Sequence, residues 1–283
     1  MPAIWWVSSL VGVRSFVSGL AALVAIAAII VALPSLWIKE RVIDPEGFSS
    51  TAATMAANPQ VQSYMADEIV HQVGNRSNGL VPSAIAKPIA SAYTSSPQFR
   101  ADFVDIAGQE HAWLFNEATP DQQGKAMELD LTDMVNRVVA STGVQVTIPG
   151  PITVPITRGA GDGLEAGRYH HVSQQITRIA YTSVVVAIVA ALLALLIARR
   201  RGTVLAWLGA GAVVSAAVSW GLATLLAHRA KQEVSATDGG ARQVAEITID
   251  GVVDNLTQVA LVVGGVGLAV VVVGVIARAA FRF

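Results

Sequence analysis

The residues able to do chemistry are few in this chain of 283 residues: five histidines, no cysteine, and acids and bases that avoid four long apolar stretches. Glu68-Ile-Val-His71 has the Glu-x-x-His spacing that places a carboxylate and an imidazole on one helix face, as two metal ligands require. A di-iron bundle needs two such motifs and two further glutamates, and only this one is found, so the pair reads as a solvated face. Glu110-His111 reads as a surface or capping pair. His170 and His171 are neighbours, so on a helix they diverge by about 100° and do not chelate one ion easily; beside Tyr169 and Tyr181 they read as interfacial. The run Gly159-Ala-Gly-Asp-Gly163 lacks the Gly-Lys-Ser/Thr of a phosphate loop and the flanking βαβ unit of a dinucleotide fingerprint, so it reads as linker. No Gly-x-Ser-x-Gly elbow or Ser-x-x-Lys nucleophile is found. The expectation is a chain with no catalytic centre, no metal site and no cofactor.

The elements that would position these residues are set by charge. Hydrophobic residues make up 53% of the chain and charged residues 14%, with mean hydropathy +0.54; soluble domains carry about 25% charged residues. Residues 15–38, 179–198, 202–227 and 256–277 carry no charge at all. Each reaches the roughly 20 residues that cross about 30 Å of hydrocarbon at 1.5 Å per residue. A soluble enzyme, a nucleic-acid binder and a disordered chain are excluded. The fold class expected is a mainly α membrane protein: four transmembrane helices plus a mostly helical α+β extracytoplasmic domain containing a small β-hairpin.

Orientation follows from arginines, which stay in the cytoplasm when they lie in short loops. Arg14, Arg199, Arg200, Arg201, Arg278 and Arg282 occupy the two ends and one turn, with no acid among them. Residues 39–178 hold 10 basic and 15 acidic side chains, and residues 228–255 hold three and five. Both termini are therefore expected in the cytoplasm and the two acidic segments outside the plasma membrane. The first apolar stretch exceeds the 7–15 residues of a signal-peptide core and lacks a small-x-small site at its end, so it reads as an uncleaved anchor, preceded by a short interfacial segment carrying Trp5 and Trp6. Without cysteines, the outer domain (39–178) must be held by its core alone.

Within that domain, Asp44-Pro45-Glu46 opens one helix and Asn58-Pro59 stops it and starts another; a third is expected over 83–94, interrupted by Pro88, and a fourth from Ser96-Pro97. Residues 126–131 alternate like a short strand, and a helix through Met134 and Val138 ends at Gly143. Val144, Val146 and Ile148, then Ile152, Val154 and Ile156 across Pro149-Gly150-Pro151, predict a two-stranded hairpin with one apolar face, a candidate partner surface. Pro155 removes a ladder donor and marks an edge. Asp162-Gly-Leu-Glu165 has the form of a capping box from which one helix would run unbroken into the second span. Val244, Ile247, Gly251, Val252 and Asn255 follow a helical period, predicting a short outer helix before the fourth span that packs on the main domain.

The segments Val42-Ile-Asp44-Pro-Glu-Gly-Phe48, Ala57-Asn-Pro-Gln-Val61-Gln, Ser96-Pro-Gln-Phe99 and Ala-Gly-Gln-Glu-His111, followed by a glycine-linked return to three spans, resemble a family of uncharacterised actinobacterial integral membrane proteins. The resemblance covers nearly the whole chain in layout; Phe103 stands where such proteins often carry Trp. It carries no catalytic residue over to this chain, and no function transfers from it.

The spans carry no ionisable residue of the kind that ion- and proton-driven carriers use. They carry small residues on faces instead: Ala21, Ala25, Ala28 and Ala32; Gly211, Ser215 and Ser219; Gly267 and Gly274. Such faces admit close helix contact in lipid, either within this bundle or with another membrane protein or a second copy. Three functions are compatible with these features: a non-enzymatic envelope protein displaying an acidic domain to a protein or envelope partner, as an accessory subunit of a membrane complex for example; a lipid or small-molecule handler with an apolar cavity at the outer leaflet; and, least supported, a membrane-bound hydrolase or transferase. The bilayer is the one partner common to all, and nucleic acid is a partner in none.

Overall fold

The computed structural model describes residues 4–76, 82–125, 127–130, 132, 151, 153–156, 165–234 and 239–280. In chain order the elements are α1 (Ile4–Ile38), a π-helical turn (Lys39–Ile43), α2 (Pro45–Ala56), α3 (Pro59–Arg76), α4 (Ser83–Thr94), α5 (Pro97–Phe115), β1 (Met127–Asp130), β2 (Thr153–Ile156), α6 (His170–Ile197), α7 (Arg201–Val234) and α8 (Gly239–Ala280). The chain divides into two compact units, one of Met1–Lys39, Gln175–Ser235 and Ile249–Phe283, the other of Glu40–Gln174 and Ala236–Thr248.

The first unit contains four helices long and apolar enough to cross a membrane, within Arg14–Ile43, His170–Ile197, Arg201–Gln232 and Ala245–Ala280. α1 is continuous from Ile4, so residues 4–13 prolong the first apolar helix without a break. Ala25 of α1, Ala190 of α6 and Leu208 of α7 form a shared core, with Ile26, Leu195 and Val204 packed against it. Interhelical hydrogen bonds supplement that contact. Ser18 Oγ donates to the Ala194 carbonyl at 3.0 Å, and Trp37 Nε1 donates to Asn255 Oδ1 at 2.9 Å. Lys231 of α7 pairs with Asp250 of α8. Burial here is inverted relative to a water-soluble bundle. The inward residues are mostly Ala and Ser, such as Ala25, Ala194, Ser215 and Ser219, while Leu23, Leu196, Leu261 and Val262 stand exposed.

In the second unit the local signals set the boundaries. Proline occupies the first turn of α2 after Asp44 and of α5 after Ser96, whose Oγ accepts the Phe99 N–H. Asn58 Oδ1 accepts the Gln60 N–H at the start of α3. α4 runs from Ser83 to Thr94 straight through Pro88. The proline sits six residues into this 12-residue helix, where it removes one donor without ending it.

β2 pairs antiparallel with β1, Thr153 opposite Asp130 and Ile156 opposite Met127; the expected partner, 144–148, lies outside the described residues together with the expected helix through Met134 and Val138. Period-2 alternation identifies strands but not their mates, and the alternation at 126–131 supplied the mate that is seen. One expectation is corrected: α6 begins at His170, not at the Asp162–Glu165 box, of which only Glu165 is described. Gly167 has φ +68°, a left-handed residue that interrupts helix.

The expected outer helix is the first part of α8, whose residues 239–248 belong to the second unit. Thr248 Oγ1 lies 3.7 Å from Met55 Sδ of α2.

Candidate functional site

His111 is buried, not at the surface as Glu110-His111 suggested. The Val42 carbonyl lies in the π-helical turn, and His111 Nε2–H donates to it at 2.9 Å. The imidazole lies between Phe48 and Phe115, each ring centroid 4.5 Å away, and Phe115 continues the column to Tyr169 at 5.6 Å. α2 approaches the π turn closely because residue 47 is glycine: a Cβ there would stand 1.7 Å from the Glu40 carbonyl oxygen. Val42, Gly47, Phe48 and His111 thus converge on one joint between three segments.

α5 ends in a second joint. The last carbonyls of a helix lack intrahelical donors. Those of Trp113 and Leu114 accept from the Gly167 and Tyr169 N–H groups at 2.8 and 2.9 Å, and Phe115 accepts from His170 Nδ1 at 3.0 Å. With Nδ1 carrying the proton, His170 Nε2 accepts from the Gln174 amide at 3.0 Å. His170 and His171 are 5.7 Å apart between ring centroids in an edge-to-face arrangement, and His170 is engaged in capping.

Asp102, 1% exposed, accepts from the Tyr93 hydroxyl at 2.8 Å, and Tyr93 packs edge-on to Phe99. Gln109 holds β1 from α5. Its side chain accepts from Asp130 N–H and donates to Asp130 C=O, both at 2.9 Å, as a neighbouring strand's peptide would. The Asp130 carboxylate accepts from the Thr132 hydroxyl and N–H, which together hold its pKa below the ordinary value. Glu68 and His71 share α3, and among the described residues no three His, Asp or Glu side chains gather to hold a metal ion. Of the candidate strand surface, Val154 and Ile156 lie in β2 opposite Leu129 and Met127, while Ile152 lies outside the described residues.

The small residues of the apolar helices fall on two interfaces inside the chain. Gly211 of α7 faces Ile26 of α1: an added Cβ would meet Ile26 Cγ1 at 2.6 Å. One turn on, Ser215 Oγ donates to the Ile29 carbonyl at 3.0 Å, and Ser219 is fully buried. Gly267 and Gly274 of α8 meet α7. An added Cβ at Gly274 would lie 2.5 Å from Ala206 N, and one at Gly267 would lie 2.9 Å from the Gly209 carbonyl oxygen. Their partners are Gly209 and Gly202, where a Cβ would stand 2.6 Å from the carbonyl oxygens of Gly267 and Gly274 respectively. Gly202 and Gly209 repeat at the same seven-residue interval as Gly267 and Gly274. That shared interval was a signal available in the sequence, and it was not used there.

At the end of the bundle where α6 turns into α7, a cleft of about 890 Å³ opens between these helices and α1. Arg199 and Arg200 from the turn and Arg278 from the last turn of α8 line it, with Phe16, Leu23 and Trp207 among its apolar walls. A smaller recess of about 230 Å³ shares Thr203, Trp207 and Arg278 with it.

No protein-family model, curated protein or solved structure matches the chain.

Proposed function

We propose that the chain is a non-enzymatic integral membrane protein of the bacterial cell envelope, in which four spans hold an acidic outer domain that acts by binding a partner protein. The inverted burial of the apolar helices carries this reading. Exposed Leu and Val with buried Ala and Ser is the arrangement expected where lipid, not water, surrounds the bundle. Exposed apolar area on that scale does not persist on a water-soluble monomer. The meeting of Arg199, Arg200 and Arg278 at one end supports a cytoplasmic location for that end.

Binding is favoured over catalysis because three polar side chains of the outer domain able to do chemistry are engaged in structure. His111, His170 and Asp102 each hold a joint of the fold. The partner face we assign is α4, which exposes Ile85 and Ile89 on one side.

A reporter active only outside the cytoplasm should work when fused after Gly163 or Gly240 and stay silent after Arg201 or Phe283; a signal at Arg201 overturns the topology. A photo-crosslinking residue placed at Ile85 or Ile89 should capture a protein in intact cells. Capture at neither position removes the partner face.

A further inference from the structure

The arginine-lined cleft has a composition that its own residues do not neutralise. Three guanidinium groups border one concavity, and among the described residues no carboxylate lines it. The chain has no acid between 166 and 232 and none after 254, so the helices that build the cleft hold none near this end. Like charges gathered beside apolar walls repel one another, and an anion relieves that repulsion. Arginine is also the side chain whose planar fork matches a phosphate with two hydrogen bonds.

Below the arginines the walls turn apolar, with Leu20, Leu23, Ile26, Val204 and Trp207. The second recess shares Trp207 and Arg278 with the cleft and adds Ala206, Ala210 and Val275 to the apolar lining. A free phosphate would engage the arginines and leave the apolar lining of the cleft unfilled. We propose that the cleft binds an anionic phospholipid, its phosphate at Arg199, Arg200 and Arg278 and its acyl chains along Leu23 and Trp207. The proposal rests on the reading that these helices span a membrane.

Two glycines allow a test that leaves the arginines in place. Gly19 lines the cleft, and a Cβ there meets nothing within 4 Å. Gly221 is equally unobstructed and lies outside the cleft. The full chain, in nanodiscs of phosphatidylcholine with or without phosphatidylglycerol, should melt at a higher temperature when the anionic lipid is present. Native mass spectrometry from mild detergent should show retained phosphatidylglycerol. Gly19→Trp fills the cleft and should abolish both effects, while Gly221→Trp should preserve them.

Arg278→Gln, which leaves Arg199–Arg201 to fix orientation, should lower retention about fivefold, the loss expected for one cation at an anionic headgroup. Glycerol phosphate added in detergent should not raise the melting temperature; if it does, the cleft takes a soluble anion and the lipid assignment fails. Equal retention in Gly19→Trp and wild type reduces the effect to diffuse surface attraction and also overturns it. The reporter fusions report on the membrane reading separately, so an inactive cleft in a correctly inserted chain refutes this proposal alone.

Discussion

At the residue scale, the second unit is organised by polar side chains buried for their hydrogen bonds. His111 combines a bond to the Val42 carbonyl with two ring contacts. Its removal leaves a cavity and withdraws that donor. His111→Ala should therefore destabilise the domain by about 2–4 kcal/mol, read as a lower melting temperature of the full chain in detergent. His111→Gln, able to donate to Val42, should recover part of the loss; equal losses would mean that packing alone matters. Asp130 gives a pH prediction. Its pKa is lowered in the fold by Thr132, so it contributes stability above the ordinary aspartate value of 3.8 that is lost as pH falls through the depressed value. The wild type should lose its margin over Asp130→Asn across that acid window, and a margin constant through the window would contradict the Thr132 contact.

At the scale of elements, helix contact is decided by what is missing from side chains. Lipid gives apolar helices no hydrophobic drive to associate, so close packing and interhelical hydrogen bonds must supply the contact. Gly202 and Gly209 against Gly274 and Gly267 bring α7 and α8 to backbone contact. Gly209→Ala and Gly267→Ile should each push the helices apart and lower thermal stability, whereas Gly265→Ala, with nothing within 4 Å of its added Cβ, should not. Stability unchanged in all three would refute the contact. Because these faces are consumed inside the chain, their variants should lose stability before they lose any associated protein. The joint at the end of α5 invites a parallel substitution. Gly167→Ala would force a left-handed backbone on alanine and set its Cβ 2.9 Å from Ala118 N. A cost of about 1–3 kcal/mol is expected, measured as loss of protection of the α5 terminus in hydrogen exchange.

At the scale of the molecule, charge and apolarity are segregated along the chain. The positive set at the ends and turn is small, so its balance should be sensitive. Replacing Arg199–Arg201 by three glutamates should make an external reporter fused at residue 201 active in part of the population. A silent reporter in that variant would show that Arg14 and Arg278 fix the orientation without the turn. Much of this plan was legible because its signals are local: uncharged runs of helical length, and proline-led caps at Asp44, Asn58 and Ser96 that act within one turn.

The sequence by itself determined the four apolar helices, most boundaries of α2 to α5 and the small-residue faces, since each depends on residues a few positions apart. Tertiary structure alone decided which strand pairs with β2, because alternation carries no partner information. It decided that His111 is buried, because the Val42 carbonyl and the Phe48 ring reach it from more than sixty residues away. It also decided which glycines oppose one another and that Arg278 meets Arg199 and Arg200, nearly eighty residues away, over one cleft. These last features are set by how helices cross, and the crossing depends on every residue of both surfaces at once.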